Sequence, residues 1–463
     1  MSHYSPRSER EFGAAKTEPL SRSSSGFNRN GCSLASPRRE EKTAKSSPQI
    51  SLSDRPSLID QVLSQGYKVA VVRIGIVSDY YYPQLGGITE HAYGQAKELS
   101  RRGHDVTLFT PNLVRAPRTA DGLVRDEPFE VSRVGRAFPF YVNASETLLT
   151  AGPRLGSDLH RLFSGRGLDV LHVHNPFGVM LPMTAIARST ARVTVGTFHS
   201  VVPDGYRPLR WSRGILRRLL SKLDARIAVS AAVVASIGTH FAGFGFDVIP
   251  NGVDTNFFTP TAGTLPWLNG RKRNILFVGR FDPRNGLKEM LRAFVLLRKR
   301  RQDVRLVILG DGPLRPLYKR MVPPGLREDV LFEGRVDGLR PRYLASSEIL
   351  CTPCHLASFG MVLLEAMSGG VPVVASNISG FRLLMEDGVH GMLVDHDGEG
   401  SAFCDALDHM LEHPDLARGM GSAGRQRAVD KFAWPVVVDQ LEALYERALG
   451  EPRNGRTTSR ARE

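Results

Sequence analysis

Residues 354–376 read CHLASFGMVLLEAMSGGVPVVAS, and this stretch predicts a loop, a helix and a buried strand in immediate succession. The small residues Ala357 to Gly360 form the loop, Met361 to Met367 the helix, and Val371 to Ala375 the strand. A helix that begins directly after a loop presents unpaired backbone N–H groups at the positive end of its dipole, which suits a diphosphate. Glu365 lies inside the apolar helix, where a carboxylate either caps buried backbone or accepts hydrogen bonds from ligand hydroxyls. An ordinary α/β crossover explains this stretch equally well when it is taken alone.

The composition of the chain is that of a globular protein with two domains and tails. It has 463 residues, of which 41% are hydrophobic and 23% charged. No apolar run reaches the length of a membrane-spanning helix, and the N-terminus lacks a hydrophobic signal core. The four cysteines are too few and too scattered for a disulfide framework. We therefore expect a cytoplasmic location.

The formal net charge of +14 indicates an anionic partner. Nucleic acid is not expected, because the sequence carries no RNA-recognition, homeodomain or zinc-finger pattern and few aromatic residues near its basic clusters. An anionic membrane surface together with a phosphorylated substrate accounts for the charge better.

Strand and helix patterns alternate through most of the chain. Residues 1–66 are rich in Ser, Arg and Pro, and we expect them to be disordered, as we expect the basic tail 450–463 to be. The first domain, residues 67–258, opens with a β-branched run from Val69 to Asp79, the glycines Gly86 and Gly87, a helix from Ile88 to Arg102 and a strand from Asp105 to Thr110. Glycines where the helix begins let the backbone approach a phosphate.

The second domain, residues 259–431, repeats this pattern after a linker. Strands at 274–280 and 305–310 flank a helix from Leu287 to Lys299, and further strands complete a sheet that we expect to be parallel. A final helix is predicted at 432–449. The fold class predicted from these patterns is α/β, with two Rossmann-like doubly wound domains that face a cleft.

Four motifs carry a resemblance to a known family: IPNGVD (249–254), VGR (278–280), LGDGP (309–313) and SFGMVLLEAM (358–367). With these motifs the chain, from residue 70 to about 445, resembles the retaining glycosyltransferases of the glycosyl transferases group 1 family, which have the GT-B fold. Within that family it is similar to phosphatidylinositol mannosyltransferases. The resemblance implies transfer of a hexose from a nucleotide-diphosphate sugar with retention of configuration, with no cofactor and no metal. It also implies that the helix at 432–449 crosses back to the first domain.

The resemblance also implies roles for individual residues. Arg280 matches the arginine that binds the diphosphate, Glu365 the acid that holds the ribose, and His199 the histidine near the transferring sugar. Gly87 matches the glycine that meets the diphosphate from the first domain. The remaining donor contacts are expected from the backbone of Ser358, Phe359, Gly360, Met361 and Val362.

At two positions the chain departs from the family pattern. Ala357 stands where the family has an acid that binds the donor sugar, and Ser358 or His355 is the candidate replacement. Asn285 stands where the family has a lysine. Lys288, about one helical turn further on and predicted to lie on the same helix face as Asn285, is the candidate for its phosphate contact, with Arg284 as the alternative.

Other histidines and cysteines form patterns that we interpret as structural. His172 and His174 lie two apart on one strand face, and we expect them to pack or to line the cleft rather than to bind a metal. Cys351 and Cys354 followed by His355 match the haem-attachment pattern, but the chain has no export signal, so haem is not expected.

Residues 206–227 combine arginines with apolar side chains, a pattern suited to an anionic bilayer surface but also to an ordinary solvated helix. The membrane or acceptor candidates are Arg210, Trp211, Arg213, Arg217 and Arg218. The acceptor implied by the resemblance is a membrane phospholipid such as phosphatidylinositol, which would place the protein on the inner face of the cell membrane.

Two further classes of function remain open. A glycosyltransferase fold that binds nucleotide-sugar without turnover would explain the residues at 285 and 357. A nicotinamide-linked oxidoreductase is disfavoured, because no G-x-G-x-x-G follows the first strand. For the transferase, the implied donor is GDP-mannose or a UDP-hexose.

Overall fold

The computed structural model describes seven stretches of the chain, namely residues 71–84, 86–113, 127–142, 145–178, 180–201, 211–336 and 338–450. The tails predicted to be disordered lie outside these residues, apart from Gly450.

An eight-stranded sheet forms the N-terminal α/β domain. Its strands are β1 Arg73–Val77, β2 Asp105–Leu113, β3 Glu130–Val142, β4 Ser145–Ala151, β5 Val170–His174, β6 Val193–Phe198, β7 Ala225–Ala228 and β8 Asp247–Val248. They lie in the order β4-β3-β2-β1-β5-β6-β7-β8, and every neighbouring pair is parallel except the antiparallel pair β3–β4. The central strands are buried on both faces, as their β-branched sequences predict.

Five helices of this domain are described. They are α1 Gly87–Arg101, α2 Leu155–Arg166, α3 Leu181–Arg188, α4 Arg213–Lys222 and α5 Ala231–Gly238. Helix α1 begins and ends one residue before the predicted bounds. Gly103, with a φ of 90°, turns the chain out of the helix into β2.

A six-stranded sheet forms the C-terminal α/β domain. Its strands are β9 Arg273–Val278, β10 Val304–Leu309, β11 Val330–Gly334, β12 Ile349–Thr352, β13 Val373–Ser376 and β14 Met392–Val394. They lie in the order β11-β10-β9-β12-β13-β14 and are all parallel, which confirms the prediction for this sheet. In such a sheet the carboxyl ends of β9 and β12 meet at one edge, where ligands of open α/β sheets bind.

Eight helices follow in this part of the chain. They are α6 Leu287–Arg300, α7 Arg315–Met321, α8 Arg340–Ala345, α9 Met361–Ser368, α10 Ser379–Arg382, α11 Ser401–Glu412, α12 Pro414–Phe432 and α13 Trp434–Gly450. Two 3-10 turns lie at Pro283–Asn285 and Pro324–Asp329.

The last helix, α13, packs against the N-terminal domain. Ala433 is extended and separates α12 from α13. Phe432 therefore ends α12, whereas the sequence had predicted that it begins the last helix. The indole of Trp434 lies against Gly94 of α1 and Gly252, where a Cβ at either position would overlap it. The hydroxyl of Tyr445 is 2.5 Å from Nδ1 of His172 in β5. Helix α13, at the C-terminal end of the described residues, thereby packs against α1 and β5 of the N-terminal domain.

None of the described helices combines the length and the apolar character that crossing a membrane requires.

Candidate active site

The N-termini of two helices from different domains lie close to each other. Helix α9 begins after Gly360, whose φ of 107° lies in the left-handed region and whose Cβ, if it had one, would stand 2.8 Å from the ring of Phe381. Helix α1 begins at Gly87, and a Cβ there would stand 3.2 Å from Cγ of Met361. The positive ends of two helix dipoles thus converge, an arrangement that favours an anion such as a diphosphate.

The loop before α9 also contacts the N-terminal domain directly. The backbone N–H of Val201 donates to Oγ of Ser358 over 2.9 Å, and Oγ of Ser230 donates to the carbonyl of Ser358 over 2.7 Å. Phe359 is buried in the core, and Val362, in the first turn of α9, packs against the same core. The five residues expected to offer donor contacts therefore lie where the two domains meet.

Glu365 is buried, with 3% of its side chain exposed, and it forms an ion pair that the sequence did not predict. Nη1 of Arg340, the first residue of α8, lies 3.1 Å from Oε1 of Glu365. Nη2 of the same arginine lies 3.5 Å from Oε1 of Glu90 on α1. One guanidinium therefore links carboxylates of both domains.

Arg280 lies two residues beyond β9, at the carboxyl edge of the sheet, and is exposed. Its carbonyl accepts hydrogen bonds from Nδ2 of Asn285, at 2.8 Å, and from the backbone N–H of Asp282, at 2.7 Å. Asn285, at the position where the resemblance implied a lysine, thus braces the backbone of Arg280. Burial alone would raise the pKa of Asp282, but hydrogen bonds from Arg284 and the charges of Arg284 and Arg280 lower it overall.

Lys288 and Asn285 do not share a helix face, so that prediction is wrong. Asn285 ends a separate 3-10 turn, and Gly286, with a φ of 74°, lies between that turn and α6. Lys288 is exposed on the first turn of α6, so its contact with a donor phosphate stays a prediction. Arg284, the alternative, forms an ion pair with Asp282 at 2.7 Å.

His355, a candidate to replace the acid missing at Ala357, is paired elsewhere. Its Nε2 lies 3.3 Å from Oε1 of Glu289, and its ring stacks on His396 with the centroids 4.2 Å apart. Ser358, the other candidate, uses its hydroxyl to accept from Val201. Both side chains already have protein partners at this edge of the sheet.

Three buried histidines meet at the carboxyl ends of β5 and β6. Nδ1 of His174 lies 3.0 Å from Nε2 of His199, and the ring of His91 contacts both at centroid distances of 5.2 Å and 5.0 Å. One ring nitrogen from each lies within 4.8 Å of the other two. Nδ1 of His91 and Nε2 of His174 have no hydrogen-bond partner within the described part of the chain. Such nitrogens suit the hydroxyls of a sugar or a metal ion, and the absence of a metal stays a prediction.

Burial keeps these imidazoles neutral. It lowers the pKa of His199 to about 3 and holds the pKa values of His91 and His174 well below the usual value. Repulsion between the neighbouring rings acts in the same direction on His91 and His174. At neutral pH, His199 can therefore orient a bound group through hydrogen bonds, but it carries no positive charge.

His172 has a different environment on the same strand. Its Nε2 lies 2.6 Å from Oγ1 of Thr197 and its Nδ1 2.5 Å from the hydroxyl of Tyr445. It is fully buried, and burial lowers its pKa to about 3. His172 thus ties β5 to β6 and α13.

The basic helix α4 exposes both arginines and apolar side chains. Trp211 is 91% exposed and Ile215 62% exposed, while Leu216 and Leu220 are buried against the domain. Among the membrane candidates Arg213, Arg217 and Arg218 are exposed, and Arg210 lies outside the described residues. Trp211, two residues before α4, and Ile215 in α4 are therefore exposed beside the arginines of this helix.

Solved structures with the same fold are glycosyltransferases. Sucrose-phosphate synthase from Thermosynechococcus elongatus superposes with a TM-score of 0.63 at 21% identity, covering 81% of this chain and 98% of that one. HepE from Anabaena, solved in complex with UDP-glucose, gives a TM-score of 0.64 at 18% identity, covering 81% and 100%. The protein has the GT-B fold, which confirms the predicted fold class.

The sequence itself fixes the family. Residues 272–413 match the glycosyl transferases group 1 family, and residues 85–257 match glycosyltransferase family 4. The phosphatidyl-myo-inositol mannosyltransferase of Mycobacterium leprae is 33% identical over 81% of this chain and 96% of its own length. Its counterpart in Propionibacterium freudenreichii subsp. shermanii is 31% identical over 81% and 94%. The chain belongs to the group 1 glycosyltransferases and resembles their phosphatidylinositol mannosyltransferases, as the motifs had predicted.

A more distant relative names a donor. The GDP-mannose-dependent alpha-(1-6)-phosphatidylinositol monomannoside mannosyltransferase of Mycolicibacterium smegmatis is 27% identical over 78% of this chain and 94% of its own length.

Proposed function

We propose that the protein transfers mannose from GDP-mannose to phosphatidylinositol at a membrane surface, with retention of the anomeric configuration. The observation that carries the donor half of the proposal is the opposition of Gly87 and Met361, which brings two helix N-termini to one point. The names of the relatives support the choice of mannose and of a phosphatidylinositol acceptor.

In this proposal the C-terminal domain binds the nucleotide. Glu365 accepts hydrogen bonds from the ribose, and the backbone N–H groups at the start of α9 meet the diphosphate. Arg280, exposed at the sheet edge, binds the same diphosphate with its guanidinium. The negative charge that develops as the sugar leaves is then stabilised by groups that are already in position.

The N-terminal domain positions the transferring sugar. His199 is neutral and lies beside His174, so its ring can donate or accept a hydrogen bond with a sugar hydroxyl without adding charge. The buried ring nitrogens of His91 and His174 that lack partners in the described residues offer further contacts. Because Gly87 has no side chain, the backbone of the N-terminal domain can approach the diphosphate there.

The acceptor reaches the site from a lipid surface. Trp211 and Ile215 are exposed beside Arg213, Arg217 and Arg218, a combination that binds the interface of an anionic bilayer. The net charge of +14 favours the same encounter.

A second candidate function is binding of a nucleotide-sugar without turnover. Two observations favour it: Ala357 cannot bind a sugar hydroxyl through its side chain, and Asn285 braces a backbone carbonyl instead of supplying a cation. A charge-assisted hydrogen bond contributes about 1.5–3 kcal/mol, so the loss of either group is large enough to affect turnover.

The donor half is tested by measuring binding and hydrolysis of GDP-mannose, UDP-glucose and UDP-N-acetylglucosamine. Arg280→Ala should reduce turnover of the preferred donor by about 100-fold or more, since one positioned donor to a developing charge is worth that much. Arg327→Ala removes an exposed arginine from the 3-10 turn at Pro324–Asp329 and serves as the matched control. Tight nucleotide binding without turnover of any donor would favour the second candidate, and absence of nucleotide binding would overturn both.

A further inference from the structure

We propose, on the basis of the function proposed above, that Arg340 is a positioning residue of the donor site. It holds Glu365 for the ribose of the nucleotide and is itself held by Glu90 across the cleft.

Arg340 contacts the C-terminal domain, the N-terminal domain and the segment that joins their sheets. Its guanidinium lies 3.1 Å from Glu365 in the C-terminal domain and 3.5 Å from Glu90 in the N-terminal domain. It also lies over the ring of Phe258, at 5.6 Å from the centroid. Phe258 belongs to the segment that joins the two sheets, and its carbonyl accepts a 2.7 Å hydrogen bond from Ser368 at the end of α9.

The environment of the pair makes its geometry consequential. The side chains of Arg340 and Glu365 are 15% and 3% exposed, so water cannot substitute for either partner without rearrangement. Removing one member of a buried ion pair leaves the other charge uncompensated, which is costly. A planar guanidinium with several fixed donors can orient one carboxylate while it binds a second. Arg340 can therefore fix the direction from which Glu365 meets a ligand hydroxyl.

The contact with Glu90 adds a link between ribose binding and the position of α1. Glu90 lies in the first turn of α1, the helix whose first residue, Gly87, opposes Met361. If α1 moved away, Arg340 would lose its contact with the Glu90 carboxylate and would hold Glu365 less firmly. The position of the Glu365 carboxylate, which binds the ribose in this proposal, and the diphosphate site thus depend on the same placement of α1.

The test compares nucleotides with and without ribose hydroxyls. The dissociation constants of GDP and UDP are measured beside those of their 2′,3′-dideoxy analogues for the full chain and for Arg340→Met. The matched control is Arg342→Met, which removes an arginine of the same helix that hydrogen-bonds the carbonyl of Thr264 over 2.8 Å. Arg340→Lys and Glu90→Gln keep the measurement informative if Arg340→Met does not fold.

The unaltered protein should bind the diphosphate with intact ribose at least tenfold more tightly than the dideoxy form. Arg340→Met should reduce that ratio to below about threefold, because a Glu365 carboxylate that is no longer held in position forms weaker hydrogen bonds with the ribose hydroxyls. Arg340→Lys should restore part of the ratio, Glu90→Gln should lower it partly, and Arg342→Met should leave it unchanged.

A purely structural role for Arg340 predicts a different pattern. Both nucleotides would then weaken together or melting would shift alone, and a folded Arg340→Met protein that keeps the ratio overturns the inference. A wild-type ratio near one also overturns it, because Glu365 would not bind the ribose. Failure of the unaltered protein to bind either diphosphate would instead overturn the proposed function.

Discussion

Gly87 and Met361, the first residues of α1 and α9, lie so close that a Cβ on Gly87 would stand 3.2 Å from Cγ of Met361. Because Gly87 has no side chain, α1 approaches Met361 at the point where both helix dipoles have their positive ends. Gly86, its neighbour, has no atom within 4 Å of an added Cβ in the described part of the structure. The two adjacent glycines therefore differ in what a methyl group would meet.

Gly87→Ala should lower kcat/KM for the donor at least tenfold, which corresponds to about 1.4 kcal/mol. The added methyl group narrows the passage for the diphosphate and presses on Met361. Steady-state kinetics of the variant, with Gly86→Ala as the control, make the comparison. Equal losses in the two variants would show that the diphosphate does not pass this point.

Gly94→Ala should lower the free energy of unfolding by about 1–3 kcal/mol, the usual cost of overpacking. The new Cβ would overlap the indole of Trp434 and push α13 away from α1. Denaturant unfolding measures the effect. Gly214→Ala, in a helix where an added Cβ meets no described atom within 4 Å, should be neutral or slightly stabilising. Unchanged stability of Gly94→Ala would mean that α13 does not dock as described.

The buried histidines predict acid sensitivity. His91, His172, His174 and His199 have pKa values of about 3 or well below the usual 6.5 in the folded state. Below pH 6.5 the unfolded chain binds protons that the folded chain excludes, so the stability present above pH 6.5 is lost as the pH falls toward 3. Each histidine contributes up to about 1.36 kcal/mol per pH unit to this slope.

The slope can be assigned by substitution. His174→Gln should reduce the pH dependence of the free energy of unfolding between pH 6.5 and 5 by about one histidine's contribution. Leu416→Gln, which places glutamine at an exposed position without removing a titratable group, should not change it. An unaltered slope in His174→Gln would show that this ring takes up protons while folded.

Trp211→Ala should weaken binding to vesicles that contain phosphatidylinositol by at least fivefold, equivalent to about 1 kcal/mol of lost apolar burial. The side chain is 91% exposed beside the basic helix α4. Trp267, 56% exposed in the segment before β9, provides the control in Trp267→Ala. Co-sedimentation with vesicles distinguishes them, and similar losses in both variants would remove α4 from the membrane contact.

The alternation of strands and helices was predictable because buried parallel strands are short β-branched runs, as in β1 and β9. The β3–β4 hairpin was not predicted. Its strands form an antiparallel edge, and β3 contains Pro139 and glycine, which interrupt the apolar pattern.

Candidate site residues could be predicted only where they lie in a stretch of sequence that resembles the family pattern. Arg280, Glu365 and His199 were identified in this way, and their roles stay predictions. Arg340 was missed because its contact with Glu90 crosses the domain interface, and 250 residues separate the two in sequence. His91 was missed because the rings it contacts, those of His174 and His199, lie far from it in the sequence. Contrary to the prediction, Lys288 does not share a helix face with Asn285, because the left-handed Gly286 ends the turn that contains Asn285. A pattern of residue spacing does not reveal such a break.

The most direct test is the transfer reaction itself, followed by mass spectrometry and NMR of the lipid product. The unaltered protein is incubated with GDP-mannose and vesicles of phosphatidylinositol, with vesicles of phosphatidylglycerol as the control for surface charge. We expect phosphatidylinositol carrying one mannose in the α configuration, and no mannosylated lipid from the control vesicles. Bound GDP-mannose that yields no glycosylated lipid would contradict the proposed function.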